Sequence, residues 1–417
     1  MAEGVRVSDA GTFLAREKLK YQRVGVGDGA TTPGHDRSYL NDVIFGPDFS
    51  GQSLLDIGSF LGYFCLEALE RGAGSATGIE PDDESVRQAR EIASLRGHAP
   101  EYINDDFERF DWSGRAFDVV ICLNVLHHMF DSVHSLRQMM KLARRKVVLE
   151  FAAPRLSDVG LGMFNPLALL SAAAPAIVLG APRKSVDVAS RTFLFSRQAM
   201  QALFNKHTSV FEPVSIARSP FKGRLILSAV KRRIGHLVVV AGPTSAGKST
   251  LIERLRSDPA VRARIGLDEG GWLFDNAHLA ALPNGPIERL VLHYDILRPW
   301  GRSIRSYGRD PALDLLDVAE RVTVLTLMAS PATMLKQIEQ GELGRSGWKK
   351  PKRHHKLHER YRDAGFLEDW YRRWAAFIGA EGPKRRHAIV VNGSDGDLAL
   401  HDAAGWSALY RSFADAG

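Results

Sequence analysis

The sequence is poor in cysteine: Cys65 and Cys122 are the only two among 417 residues, which excludes the disulfide framework of a small secreted domain. Both lie in apolar stretches, so we expect two buried thiols in a reducing cytosol. The N-terminal stretch MAEGVRVSDAGTFLAREKLK lacks the apolar core of a signal peptide, which also favours a cytoplasmic protein. The chain also shows no internal repeat.

The composition is that of a soluble globular protein, with 45% hydrophobic and 25% charged residues, and it excludes global disorder and a fibrous repeat. The length exceeds that of one ordinary domain. A net charge of +7 favours polyanionic partners such as nucleotides, phosphorylated glycans, RNA or a membrane face, but it does not choose among them.

One apolar segment, residues 159–182, is nearly uncharged and approaches the length of a membrane span. Pro166 and Pro175 interrupt it, and many of its positions hold alanine or glycine. We predict a helical lid over a pocket, with peripheral membrane contact as the alternative.

Two glycine-rich turns, each after an apolar strand-like run, divide the chain. The first run begins at Ser53 and the second at His236, with a short basic hinge, Lys231–Arg233, between them. Strand-like and helix-like segments alternate in both halves, which predicts parallel sheets covered on both faces. We therefore predict two doubly wound α/β domains, residues 1–233 and 234–417.

Polar residues in the first half follow the predicted strands. Asp56 ends the first strand, and Gly58 and Gly62 follow at the turn into a helix, where the backbone can approach a ligand closely. Glu80 ends the second strand, where an acid is suited to accept hydrogen bonds from ribose hydroxyls. Asp106 follows the third strand.

A fourth, fully apolar strand is followed by Asn124, His127 and His128. Open α/β sheets bind ligands at the carboxyl ends of their strands. The sequence therefore predicts a nucleoside-binding site at this edge.

The runs LLDIGSFLGYFCLEALERGAGSATGIEP, NDDF and FDVVICLNVLHHM together resemble a class I S-adenosylmethionine (SAM)-dependent methyltransferase over residues 35–230. The preceding stretch and the paired histidines also resemble the branch that includes tRNA wobble-uridine carboxymethyltransferases and many sugar or small-molecule O-methyltransferases. Phe60 stands where the family usually has the middle glycine of the turn. A strict GxGxxG is therefore absent, which argues against NAD and leaves SAM favoured.

The resemblance implies a Rossmann-like domain whose cofactor-binding residues are Asp56, Gly58, Gly62, Glu80, Asp106 and Asn124. It implies that Gly58 and Gly62 line the methionine part of SAM and that Glu80 holds the ribose. It also implies that Asp106 faces the adenine and that Asn124 lies under the sulfonium.

Methyl transfer to a hydroxyl requires in-line positioning and a base that takes the proton. His127 or His128 is the candidate base, because an imidazole pKa of about 6.5 suits that task. The alternative is that one histidine caps the following helix and the other packs against the sheet. Asp36 and Arg37 either close over the ligand or form an ordinary surface ion pair.

The run GPTSAGKST in the second half fits the phosphate-loop pattern GxxxxGK[ST] at every fixed position, and it lies between an apolar strand and a helix. In such a loop, backbone N–H groups from Gly242 to Gly247 cradle phosphates and Lys248 reaches the β and γ oxygens. The Ser249 hydroxyl ligates Mg²⁺, and Thr250 completes the motif. The loop also resembles that of tRNA dimethylallyltransferases, although the acidic strand that follows in that family is not recognisable.

Asp295 ends the apolar strand Leu290–Asp295, which resembles a Walker B strand whose carboxylate holds Mg²⁺. The alternative is an acid that binds the acceptor or caps a helix. Asp268 and Asp275 lie where small-molecule kinases place an acceptor-binding carboxylate, with solvated loop acids as the alternative.

A basic run, GRSGWKKPKRHHKLHERYRD, follows later and would be the lid of a kinase. An RNA-binding patch and a solvated basic helix are the alternatives. The lid candidates are Arg345, Lys349, Lys352 and Arg353.

We interpret the chain as a bifunctional enzyme, a SAM-dependent O-methyltransferase joined to an ATP- or GTP-dependent, Mg²⁺-requiring kinase. The expected acceptor is a small molecule, sugar or glycan, including a lipid-linked one. The alternatives are a tRNA-modifying methyltransferase with an NTP-dependent partner domain, and a methyltransferase regulated by an NTPase domain.

Overall fold

The computed structural model describes residues 9–17, 19, 21–154, 174–180, 192–205, 210–221, 223–267, 270–275, 282–297, 312–344, 359–380, 385–392 and 398–414. The chain divides into two compact units. The first comprises Met1–Lys206 and Phe211–Lys231, and the second comprises His207–Val210 and Arg232–Gly417.

The first unit is built on a mostly parallel sheet. The strands of the unit, not all of which belong to this sheet, are β1 (Gly25–Gly27), β2 (Ala30–Thr31), β3 (Ser53–Ile57), β4 (Ser75–Ile79), β5 (Glu101–Ile103), β6 (Phe117–Leu123), β7 (Ala143–Ala152), β8 (Ile177–Gly180), β9 (Thr192–Phe195), β10 (Ser215–Arg218) and β11 (Arg224–Val230). Seven of them form one sheet in the order β10-β11-β7-β6-β3-β4-β5, in which β11 runs opposite to the other six strands.

The helices of the first unit are α1 (Ala10–Arg16), α2 (Asn41–Phe45), α3 (Tyr63–Glu70), α4 (Asp83–Leu95), α5 (Ser132–Leu142) and α6 (Arg197–Asn205), with 3-10 turns at Ser38–Leu40 and Leu126–His128. Three of these helices, α1, α4 and α5, begin after an aspartate whose side chain accepts from an N–H group of the first turn. The Asp82 carboxylate caps α4 by accepting from the backbone N–H of Ser85, and Asp131 caps α5 by accepting from that of His134.

The core of the first unit lies between this sheet and its helices. Leu54 of β3 and Ile121 of β6 pack in one cluster with Phe64 of α3 and Ile92 of α4. Full burial of each such side chain contributes about 1.5–3 kcal/mol. The four residues from Leu54 to Ile57 are all buried, so both faces of β3 are covered. The alternation of strand-like and helix-like segments predicts this burial of both faces.

The second unit has its own sheet. Its strands are β12 (Ile234–Gly242), β13 (Leu273–Asp275), β14 (Ile287–Asp295), β15 (Ala319–Met328), β16 (Arg385–Asn392) and β17 (Leu398–Asp402). They lie in the order β13-β14-β12-β15-β16-β17, and all pairs are parallel except β16 with β17. Seven consecutive residues of β12, from His236, are buried, as expected for a central strand.

The helices of the second unit pack on this sheet through aromatic and aliphatic side chains. They are α7 (Lys248–Ser257), α8 (Pro259–Arg264), α9 (Leu315–Val318), α10 (Pro331–Gly344), α11 (Ala364–Ala380) and α12 (Trp406–Ala414), with a 3-10 turn at Ala403–Gly405. Trp374 of α11 stacks on Tyr294 of β14 at 5.4 Å, and its indole N–H donates to the Thr326 hydroxyl of β15 at 2.8 Å. Both rings are buried, and the indole keeps its hydrogen-bond partner.

The prediction of a helical lid is wrong where the structure describes the apolar segment. Ile177–Gly180 is strand β8, paired antiparallel with β9, because a short aliphatic run between Pro175 and Pro182 suits a strand better than a helix. Residues 155–173 and 181–182 lie outside the described residues, as do Asp268, Arg345, Lys349, Lys352 and Arg353. In the part of the chain that is described, no helix combines the length and apolar character needed to cross a bilayer.

Candidate functional sites

The turn after β3 adopts left-handed backbone conformations that favour glycine. Gly58, Phe60 and Gly62 have φ angles of 72°, 50° and 79°. A Cβ atom on Gly58 would overlap the Val125 side chain, and one on Gly62 would overlap the Tyr102 hydroxyl. Glycine is therefore required at both positions for conformation and for space.

Phe60 adopts a left-handed backbone conformation. The family that the sequence resembles usually has glycine at this position. This conformation costs a non-glycine residue about 1–2 kcal/mol. The Phe60 ring meets Tyr21 edge to face at 5.8 Å, and its backbone N–H donates to the Glu80 carboxylate at 3.1 Å. These contacts offset the cost and tie the turn to the end of β4.

Two acidic residues adjoin this turn. Asp56 of β3 is buried, and its Oδ2 has no hydrogen-bond partner among the described residues. Desolvation, with a smaller effect of the Glu80 charge, raises the pKa of Asp56 to about 8. Glu80 accepts hydrogen bonds from the backbone N–H groups of Phe60 and Asp82, and its pKa is raised mainly by desolvation.

The ends of four neighbouring strands are linked at this edge. Phe60 and Glu80 connect the ends of β3 and β4, and Gly58 lies against Val125 beyond the end of β6. The Asn104 amide after β5 donates to the backbone oxygen of Glu80 at 3.2 Å. The strand-end residues singled out in the sequence therefore belong to one edge of one sheet.

Asp106 and Asn124, which follow β5 and β6, both make hydrogen bonds within the first unit. Asp106 accepts from the backbone N–H of Glu108 at 2.8 Å, so its carboxylate shapes the turn after β5. Asn124 has a φ of 65°, its side-chain amide donates to the Tyr21 hydroxyl at 3.2 Å, and its backbone N–H donates to the Glu150 carbonyl at 2.6 Å. Tyr21 therefore bridges Asn124 and the ring of Phe60.

The rings of His127 and His128 are 4.0 Å apart. His127 is buried, and its Nδ1 has no hydrogen-bond partner in the described part of the chain. Desolvation, with smaller effects of His128 and Arg224, lowers the pKa of His127 to about 3; desolvation also lowers that of His128, which reaches the surface. Neither histidine caps the next helix, because Asp131 does so.

A cluster around Glu150 was missed by the sequence analysis. Glu150 of β7 is fully buried and accepts from the Tyr39 hydroxyl at 2.7 Å and the Ser219 hydroxyl at 2.5 Å, with Arg37 at 3.3 Å and Arg224 at 3.4 Å. A glutamate inside the apolar run VVLEFA was the available signal, since a buried charge needs partners.

Asp36 and Arg37 do not form an ion pair with each other at the surface. Arg37 is buried and pairs with Glu150, so it is not half of a surface ion pair. Asp36 instead accepts from the backbone N–H of Ser38 at 2.8 Å. The two neighbours diverge because the Ser38–Leu40 turn directs them to different partners.

The loop between β12 and α7 forms a tight turn around a lysine. Gly242, Ser245 and Gly247 have positive φ angles of 154°, 65° and 90°. A Cβ on Gly242 would lie 2.9 Å from the Leu327 carbonyl oxygen. The Lys248 ammonium is buried and donates to the carbonyl oxygens of Gly242 at 2.9 Å and Pro243 at 2.6 Å.

Asp295 ends β14 directly beside this loop, in register with Gly242 of β12. Its carboxylate accepts from the Thr244 hydroxyl at 2.6 Å and from the backbone N–H of Leu297 at 3.0 Å. Burial lowers the pKa of Lys248, and the Asp295 charge opposes that effect. The loop, the lysine and the carboxylate are thus brought together.

Ser249 and Thr250 lie exposed in the first turn of α7. A hydroxyl and a carboxylate are oxygen ligands of the kind Mg²⁺ prefers, so Ser249 and Asp295 fit the ion chemically. The described residues contain no group of three histidine, cysteine or acidic side chains that could hold a metal alone. A cation here would therefore need phosphate oxygens and water as further ligands.

The fold and the first site define a class. A seven-stranded sheet with one antiparallel strand carries a glycine turn and an acid at the end of the next strand. Residues 54–146 match a family model described as a methyltransferase domain. This part of the first unit is therefore similar to methyltransferase domains.

Among curated proteins, the chain is similar to ajmaline N-methyltransferase of Rauvolfia serpentina, with 24% identity over 141 residues. The match covers 31% of this chain and 48% of the relative, so the chain spans about half the length of that protein.

Solved structures are similar at low identity. The N-terminal domain of EvdMO1 with S-adenosylhomocysteine (SAH) bound is 17% identical, with a TM-score of 0.36 over 51% of this chain and 90% of that one. Magnesium protoporphyrin IX methyltransferase from Synechocystis PCC 6803 with bound SAM is 18% identical, with a TM-score of 0.33 over 46% of this chain and 76% of that one.

Proposed function

We propose that the first unit transfers a methyl group from SAM to an oxygen atom of a small-molecule, sugar or glycan acceptor. The observation that carries the proposal is the carboxyl edge of the first sheet. There, two glycines that tolerate no side chain adjoin Glu80 and the unpartnered carboxyl of Asp56. This arrangement fits a nucleoside with a cationic side chain.

Each residue of this edge has a task that suits SAM. Gly58 and Gly62 leave the backbone open to the methionine part of SAM. Glu80 already accepts two backbone N–H groups and can accept ribose hydroxyls in the same way. Asp56 is a buried carboxyl that a nearby ammonium group would stabilise in its charged form.

SAM, when bound, would supply the methyl group on its sulfonium sulfur, and SAH would be the leaving group. The chain must align an acceptor oxygen with that methyl and receive the hydroxyl proton as the sulfur–carbon bond breaks and the oxygen–carbon bond forms. Both histidines are neutral at neutral pH, but desolvation lowers the pKa of His127 to about 3, which makes it a weak base, so we assign the role of proton acceptor to His128. His128 reaches the surface and can release the proton to water.

Calorimetric titration with SAH tests this proposal. We expect Glu80→Gln to weaken SAH binding at least tenfold, since the amide loses the charge and one acceptor oxygen. Glu84→Gln, on the exposed face of α4, is the matched control and should bind like the wild type. A wild-type chain that does not bind SAH would refute the proposal.

For the second unit, we infer binding of a nucleoside triphosphate and transfer of its terminal phosphoryl group. The supporting observation is the buried Lys248 ammonium, which contacts loop carbonyls and has no carboxylate within ion-pair distance among the described residues. A buried cation at the start of a helix favours an anionic ligand. Lys248 would contact the β and γ phosphates, and Ser249 and Asp295 would hold Mg²⁺.

Nucleotide titration in the presence of Mg²⁺ tests this second proposal separately. We expect Lys248→Ala to lose at least tenfold in ATP affinity while SAH affinity stays unchanged. Lys336→Ala, exposed on α10, is the control for removal of a lysine from the same unit. Equal ATP affinity in both variants would contradict the role of Lys248.

Dual labelling identifies the reaction. The purified chain is incubated with methyl-labelled SAM, γ-labelled ATP and a host extract, which is then separated into RNA, lipid-glycan and small-molecule fractions. Both labels in one non-RNA fraction would support a bifunctional methyltransferase and kinase. Methyl label in RNA with free phosphate would favour a tRNA-modifying enzyme, and methyl label on nitrogen would refute the oxygen acceptor. Nucleotide hydrolysis that alters methyl transfer, without a phosphorylated product, would favour a regulatory NTPase.

A further inference from the structure

Two guanidinium groups share one carboxylate beside the proposed methyl-transfer edge. Glu150 lies 3.3 Å from Arg37 and 3.4 Å from Arg224. In the described ranges, no other carboxylate pairs with either arginine. With two positive charges and one negative charge, the group has one positive charge in excess.

The Glu150 carboxylate cannot accept hydrogen bonds from further groups, because each of its oxygens already accepts two. Oε1 accepts from the hydroxyls of Tyr39 and Ser219, and Oε2 accepts from both arginines. An anionic carboxylate has about four acceptor positions, and all are filled here.

Both guanidinium groups are held against aromatic rings. Each lies 5.2 Å from the centre of the Phe221 ring, and Arg37 is also 5.0 Å from that of Tyr21. Cation–π contacts and the shared carboxylate fix the orientation of both side chains before any ligand binds. Binding an anion would therefore require little further ordering.

The two arginines differ in access. The side chain of Arg37 is 6% exposed, whereas that of Arg224 is 23% exposed. Buried Arg37 can compensate Glu150, which leaves the charge of Arg224 available at the surface of the cluster.

The cluster adjoins the histidine pair His127 and His128. Asn124 donates its backbone N–H to the Glu150 carbonyl, and the positive charge of Arg224 contributes to the lowered pKa of His127. The Nδ1 atom of His127 is buried and has no partner in the described part of the chain. An acceptor with two polar groups could contact both Arg224 and this nitrogen.

We propose that Arg224 binds an anionic oxygen group, a carboxylate or a phosphate, on the methyl acceptor. This inference rests on the proposed methyltransferase function and narrows its acceptor to an anionic molecule. A carboxylate or phosphate accepts two parallel hydrogen bonds from one guanidinium, which gives orientation as well as affinity. The acceptor would thus be anchored beside the histidines with its hydroxyl free to react.

The test is calorimetric titration of the SAH-saturated full-length chain with acetate and, separately, with inorganic phosphate at constant ionic strength. We expect binding of one probe or both, at least tenfold weaker in Arg224→Gln and unchanged in Arg218→Gln, an exposed arginine on neighbouring β10. Binding of phosphate elsewhere on the chain would be the same in all variants. Only the part of the binding that is lost in Arg224→Gln therefore supports the proposal. Which probe binds distinguishes a carboxylate from a phosphate.

Unchanged SAH affinity shows that a variant is folded and separates the two ideas. If the wild type fails to bind SAH, the methyltransferase proposal fails. If SAH binds but no probe binds in an Arg224-dependent way, the anionic-acceptor inference is overturned. If Arg224→Gln does not fold, Arg224→Lys replaces it, since lysine keeps the charge but loses the paired hydrogen bonds and should weaken binding at least threefold.

Discussion

Gly62 combines a left-handed backbone with a crowded site. Its φ is 79°, and a Cβ atom would overlap the buried Tyr102 hydroxyl. For Gly62→Ala we expect a loss of about 1–2 kcal/mol from conformation. Overpacking should add about 1–3 kcal/mol. Urea denaturation would measure the free energy of unfolding, and SAH binding should weaken in parallel.

Gly97→Ala is the matched control for this substitution. Gly97 has a φ of 69°, and no atom lies within 4 Å of the position that its Cβ would take. It should therefore lose only the conformational part. Equal losses in the two variants would show that Tyr102 moves aside without cost.

Asp56 predicts a pH-dependent stability in the ligand-free protein. Burial raises its pKa from 3.8 to about 8, so the folded state retains a proton that the unfolded state releases. Its contribution to stability is therefore full in acid and is lost as pH rises from 3.8 towards 8. Asp56→Asn does not titrate, so its stability relative to wild type should increase over this range.

Urea denaturation at about pH 5, 7 and 9 would measure this difference, using the linkage between protonation and unfolding. Asp83→Asn, in the first turn of α4, serves as the control for a surface acid. If the Asp56→Asn and wild-type stabilities run parallel with pH, the Asp56 carboxyl is not protonated in the fold.

The residues at the strand ends differ in how far they could be predicted. Gly58, Gly62 and Glu80 follow a local strand–turn–helix pattern, which the sequence displays directly. The partners of Glu150 are distant in sequence: Arg37 comes from the N-terminal segment and Arg224 from β11. Their meeting depends on strand order, which local periodicity does not contain.

Strands were the more predictable elements. The runs that form β3, β6, β12 and β14 are mainly apolar and are bounded by glycine or polar residues, as is typical of buried parallel strands. The error at β8 has a physical cause, because a short aliphatic run does not distinguish a strand from a helix by periodicity. Its antiparallel partner β9 decides the outcome, and that pairing is tertiary.

The position of a strand in the second sheet should set its sensitivity to substitution. Leu237 in central β12 is fully buried, whereas Leu273 in edge strand β13 is 36% exposed. For Leu237→Ala we expect a loss of about 2–5 kcal/mol, from lost burial and a residual cavity. Chemical denaturation followed by the tryptophan fluorescence of the second unit would measure it.

Leu273→Ala is the same substitution in the same sheet and should cost well under half as much. Similar losses for both leucines would contradict the central position of β12.

The two units have separate hydrophobic cores, which share no residue among those described. We therefore expect two transitions in calorimetric unfolding. SAH at about 100 times its dissociation constant should stabilise the first unit by about 2.7 kcal/mol and leave the other transition in place. ATP with Mg²⁺ should shift the second transition alone.

Two variants assign the transitions. A tenfold loss of affinity at the same SAH concentration would cut the stabilisation to about 1.4 kcal/mol. Glu80→Gln should therefore at least halve the SAH shift, and Lys248→Ala should reduce the nucleotide shift in the same way. A single transition that both ligands move together would mean that the units unfold as one cooperative body.

The placement of the two thiols has a further consequence. Cys65 and Cys122 are both in the first unit, buried and not in a disulfide, and the second unit contains no cysteine. Burial raises the pKa of both thiols, that of Cys122 to about 12, so alkylating reagents should not react with the closed unit. Because modification requires opening, its rate reports how often the first unit opens, with the second unit silent. The natural sequence thus contains its own chemical label for one half of the molecule.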